Sequence, residues 1–83
     1  MVFRVYGAFP PADPCEQTFF QQEFSTEREA LEYALASRKA AIEAGKQSEQ
    51  YCIKTTDGEI VLNSKQIIYA FNNKESGWNY PYR

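Results

Sequence analysis

The sequence predicts a two-layer α+β domain: an antiparallel sheet of about five strands in the order ββαβββ, with one helix packed across one face. Three observations carry that reading. The first residues alternate with a period of two, the middle of the chain holds a capped amphipathic stretch, and an Asp57-Gly58 dipeptide sits between two β-rich runs.

In Val2 to Phe9, VFRVYGAF, the residues Phe3, Val5, Gly7 and Phe9 share one face, and Val2, Arg4, Tyr6 and Ala8 share the other. The face with two phenylalanines is the expected core face. The segment PPADP, Pro10 to Pro14, then breaks regular hydrogen bonding, because proline has no backbone donor and restricts the residue before it. A hairpin connection is expected there. Thr18 to Phe24 resumes the alternation as a second strand, with Phe20 and Phe24 on one face and Phe19, Gln21 and Glu23 on the other. That outer face is an edge to which a partner or a second copy could add a strand, although its charge and glutamines are also usual edge protection.

Thr26 and Glu29 form the S/T-x-x-E pattern of a capping box, and Glu27 and Glu29 suit the positive end of a helix dipole. Leu31, Ala34, Leu35, Ala41 and Ile42 recur at steps of three and four, interrupted by Arg38, up to Ala44 and Gly45. A helix is expected from Glu27 to Ala44. Its outer face carries Arg28, Glu29, Glu32, Lys39 and Glu43, a mixed-sign surface that solvent alone explains.

Tyr51 to Thr55 and Glu59 to Asn63 flank Asp57-Gly58, which accepts positive φ at both turn positions, so a hairpin is expected. Gln66 to Asn72, QIIYAFN, reads as a last strand with Ile67, Tyr69 and Phe71 on one face and Ile68 and Ala70 on the other. Because both its faces are partly apolar, it is expected at the sheet centre. Strand orders 2-1-3-4-5 and 2-1-5-4-3 both satisfy a right-handed crossover, and the second puts the fifth strand beside the first. The second is preferred.

The whole chain, 1–83, reads as a single domain, with 75–83 an aromatic tail. Apolar residues at 43% and charged residues at 24% are ordinary globular proportions. There is no histidine, which removes Ser-His-Asp and Cys-His chemistry and His-containing zinc sites, and two cysteines cannot make a Cys₄ site. No metal and no cofactor is expected. Scattered glycines give neither a P-loop nor a dinucleotide fingerprint. No apolar run is long enough to span a membrane, and the N-terminus lacks the pattern of a secretory leader. With only Cys15 and Cys52, the expectation is a cytoplasmic protein with reduced thiols, Cys15 being a poor nucleophile beside Glu16 and Cys52 a small buried hydrophobe.

A net charge of -2 and dispersed basic residues (Arg4, Lys54, Lys65, Lys74, Arg83) disfavour nucleic acid, which needs a clustered cationic footprint. In the terminal SGWNYPYR, Trp78, Tyr80, Tyr82 and Arg83 are of the types enriched at interface hot spots; the same aromatics could equally fold back to complete a thin core. The expected function is therefore a non-catalytic protein-binding domain, an accessory subunit or a small inhibitor of the kind encoded by phage or mobile elements. It would bind a protein partner through those four residues, as a monomer or as a homodimer through a sheet edge. Single-stranded nucleic-acid binding on sheet aromatics is the alternative, and a small enzyme with a carboxylate pair the third.

Overall fold

The alternating N-terminal run forms strand β1 (Phe3–Ala8), and its odd-numbered residues pack inward as their spacing demands. The computed structural model describes residues 2–17, 19–46 and 49–75. A short turn of 3-10 helix (Pro14–Glu16) precedes β2 (Gln22–Phe24), then α1 (Glu27–Glu43), β3 (Gln50–Thr55), β4 (Ile60–Leu62) and α2 (Ser64–Glu75). The sheet is antiparallel in the order β2-β1-β3-β4. Among the described residues the architecture is thus α+β with four strands and two helices.

Helix α1 begins where its sequence predicts. Thr26 Oγ1 accepts the Glu29 backbone N–H at 3.1 Å, but the Glu29 carboxylate accepts from Ser25 Oγ instead of returning to Thr26, so only half of the capping box forms. Gly45 closes the helix at φ +80°, a conformation in which any Cβ is strained. Between β3 and β4, Gly58 N–H donates to Thr55 O and Thr55 N–H to Glu59 O, both at 2.9 Å, giving a three-residue loop. Gly58 has φ +90° while Asp57 stays negative, so the expected pair of positive φ angles is replaced by a single left-handed glycine and a bulge between Ile53 and Lys54.

The expected fifth strand is a helix. Asn63 Oδ1 accepts the Gln66 N–H while Gln66 Oε1 accepts the Asn63 N–H, each at 2.9 Å, which is a reciprocal capping box built from Asn and Gln. Ile67 and Ala70 turn inward, at 1% and 2% exposure, and Phe71 packs partly beside them, while Tyr69 points out. The residues that alternation divides between two strand faces thus sort by a period of 3.6. With that strand gone, the preferred order 2-1-5-4-3 falls: β3 pairs with β1 along its whole length, and β4 takes the edge.

Both helices pack on one face of the sheet. Val5 and Ile53 sit opposite each other on β1 and β3, fully buried, under Leu31 of α1 and near Ile67 of α2. Phe3 and Phe24 form a second pair at the β1–β2 end, where Tyr33 of α1 meets the Phe24 ring at 5.2 Å. Each large side chain buried here contributes about 2 kcal/mol.

Candidate functional site

On the face away from the helices, register alone assembles a row of polar and reactive side chains. Arg4 lies between Glu23 of β2 and Lys54 of β3, and Tyr6 lies opposite Cys52. The described part of the β1–β2 connection, residues 9–17 and 19–21, folds across this face, and a disulfide joins Cys15 to Cys52 with the Cα atoms 5.2 Å apart. The expectation of reduced thiols is therefore corrected: the two cysteines lie 37 residues apart in sequence, and only the sheet register together with the folded-over loop brings them to bonding distance. Cys52 is fully buried, as expected, but as half of a cross-link.

Polar contacts finish the attachment. Asp13 Oδ1 accepts the Cys15 N–H at 2.9 Å and starts the 3-10 turn. Lys54 Nζ donates to Cys15 O at 2.9 Å and Gln17 O at 3.1 Å and stands 4.5 Å from the centre of the Tyr6 ring. Arg4 Nε bonds Glu23 Oε2 at 2.7 Å, which raises the arginine pKa, and its guanidinium lies 4.6 Å over Phe20. Phe20 in turn meets Tyr6 edge-on at 6.5 Å. Arg4 and Lys54, like charges on neighbouring strands, are separated in function by turning to different partners.

Above this layer the aromatic side chains are open. Phe19 is 85% exposed, and Phe9 and Phe20 are 46% and 42% exposed. The expected second strand shortens to Gln22–Phe24, so Phe19 and Gln21 lie before it rather than on its outer face, and Glu23 is held by Arg4. Gln21 packs over Gly7, where a Cβ would come within 2.5 Å of its side-chain nitrogen, so the loop's return path depends on a residue without a side chain.

Behind the sheet, between the C-terminal half of α1 and Tyr51, lies an open groove of about 550 Å³ with small side chains such as Ser37 and Ala40 along one wall. Tyr51 donates to Glu49 Oε1 at 2.8 Å, and burial first, then this bond, push its phenol above the ordinary range. Arg38, which interrupts the helix stripe, uses that position to donate to Glu49 O at 3.3 Å and to stand 5.5 Å from the Phe71 ring centre. Among the described residues no group of three or more histidines, cysteines or carboxylates could hold a metal ion, and no helix is long and apolar enough to cross a membrane.

Trp78, Tyr80, Tyr82 and Arg83 lie outside the described residues. The features that sequence reasoning missed are the Cys15–Cys52 bridge and the loop it holds; the signal available was two cysteines, one of them among prolines that set a turn. No family model matches this chain, and neither a curated protein nor a solved structure does.

Proposed function

We propose that this is a non-catalytic protein-binding domain, acting as an accessory subunit or a small inhibitor. The observation that supports the reading is the exposed pair Phe19–Phe20 on a cross-linked loop beside a three-residue edge strand. Large rings displayed on a preorganised loop lose little conformational freedom on binding and bury much area. Trp78, Tyr80, Tyr82 and Arg83 remain proposed contacts on the strength of their residue types. A homodimer through an edge is the alternative assembly, with Ile60 of β4 half exposed at the other side of the sheet.

Against single-stranded nucleic acid stands the covering of Tyr6, which is 5% exposed, and the commitment of Lys54 to two loop carbonyls. A cytoplasmic setting is the sequence's expectation, and the Cys15–Cys52 bridge supports an oxidising compartment instead. Counting free thiols in freshly isolated protein under acid quench separates the two: none for the oxidising setting, two for the cytoplasmic one.

The binding reading is tested by affinity capture with the full chain, the Ser76 to Arg83 deletion and Phe19→Leu, followed by reconstitution with the purified partner. A stoichiometric complex lost with either variant supports it. Absence of any reconstituted complex would overturn it.

A further inference from the structure

We propose that the cross-linked loop is a docking surface for an arginine-bearing polypeptide segment, with Phe19 as the ring that receives the guanidinium and Glu16 as its counter-charge. This rests on the protein-binding reading and names the partner's chemistry. Two observations carry it. The first is the ring chemistry already present one residue away: the Arg4 guanidinium stands over Phe20 at 4.6 Å, while Phe19 is 85% exposed. An aromatic face attracts a guanidinium through its quadrupole, and arginine also stacks on the ring in a way that lysine does not.

The second observation is charge. No lysine or arginine occurs between Arg4 and Arg28, and the loop's own charged residues, Asp13 and Glu16, are exposed acids. The two cations beneath the loop are committed, Arg4 to Glu23 and Lys54 to the carbonyls of Cys15 and Gln17. The loop's exposed side chains are therefore aromatic and anionic, with no cation among them. That combination attracts a cation with a flat, weakly hydrated head and repels phosphate. Because the Cys15–Cys52 bridge and Lys54 already hold the loop, the ordering cost on docking is small.

The experiment is a titration of the ¹⁵N-labelled full chain, disulfide intact, with three synthetic peptides in which serine alternates with arginine, lysine or glutamate. The expected result is amide shifts confined to residues 13–23, strongest for arginine, weaker for lysine and absent for glutamate. Phe19→Leu should weaken the arginine peptide about fivefold, Phe19→Tyr should stay within about twofold, and Glu16→Lys should weaken all cationic binding. Phe19 and Glu16 are exposed, so the variants keep the thermal midpoint of the parent and the comparison is between folded proteins. Equal binding of arginine and lysine, shifts centred on the outer face of α1, no binding, or an unchanged Phe19→Leu would each overturn the proposal. Captured partner that survives both Phe19→Leu and Glu16→Lys would overturn it while leaving the protein-binding reading standing. Arginine-peptide binding at the loop with no partner captured would do the reverse.

Discussion

The two faces of one four-stranded sheet are covered by different physics. Helices cover one face with side chains that leave water completely: Val5, Leu31, Ile53 and Ile67 lie between 0% and 1% exposure. The other face is covered by a loop that contributes Pro14 and Phe20, and that is held by a disulfide, a lysine donating to two carbonyls, and the Arg4 guanidinium over the Phe20 ring. Apolar burial scales with area, and a loop without a helix's regular stripe cannot supply that area. A covalent bond fills the deficit by removing open conformations from the unfolded chain. The same loop can then leave its aromatic rings outside, which a cover made by burial could not do.

If that contrast holds, the largest effect comes from the cross-link. Reduction, or Cys15→Ser, should cost about 4 kcal/mol for two cysteines 37 residues apart, lowering the thermal midpoint of a domain this size by about 20 °C. At low temperature the reduced chain should keep its helical circular dichroism while amide exchange at Tyr6 and Cys52 rises far more than at Leu31. Equal rises would mean that the two faces form one cooperative unit, and the contrast would fail.

Leu31→Ala should cost about 3 kcal/mol in chemical denaturation, and protection should fall on both faces together, because the loop face needs the sheet but the sheet needs the helix. Lys54→Met keeps the apolar stem and removes the ammonium from Cys15 O and Gln17 O; about 2 kcal/mol should be lost, with exchange increased in the loop alone.

The smallest effect is confined to alkaline solution. The Tyr51 phenol has its pKa raised by burial and by Glu49, so the folded state holds the proton more tightly than the unfolded one. Its contribution is complete below the ordinary tyrosine value of about 10 and is lost as pH rises from there towards the raised value. Tyr51→Phe should flatten the fall in urea midpoint above that pH, while a parallel fall in both proteins would assign the slope elsewhere.

How much of this was legible in the sequence depended on whether a signal was local. β1, α1 and the β3–β4 hairpin follow from side-chain period, Thr26 and Gly58, all readable within a few residues. Gln66 to Asn72 failed because Ile67 begins both patterns: with Tyr69 and Phe71 it makes a strand face, and with Ala70 and Phe71 a helix face. The deciding information was Asn63 and Gln66, an Asn-x-x-Gln capping box before an apolar run, a local helix-start signal that the alternation of Ile67, Tyr69 and Phe71 overrode. For the candidate site the deciding facts are non-local. Tyr6 opposite Cys52, and Cys15 above it, require the register of β1 with β3 and the path of the loop together, and composition carries neither.

One consequence of the pairing between β1 and β3 concerns the route by which the chain reaches its fold. Tyr6 must find Cys52 across forty-six residues, the kind of remote contact whose closure entropy slows folding. Once Cys15 and Cys52 are joined, the covalent path between those strand neighbours runs through only the nine peptide links from Tyr6 to Cys15 and the bridge. The logarithmic cost of closure then drops by about 1.4 kcal/mol, roughly tenfold in the rate of finding the register. In an oxidised chain that unfolds and refolds, the bridge that holds the loop on the finished sheet thus also turns the sheet's central long-range search into a local one.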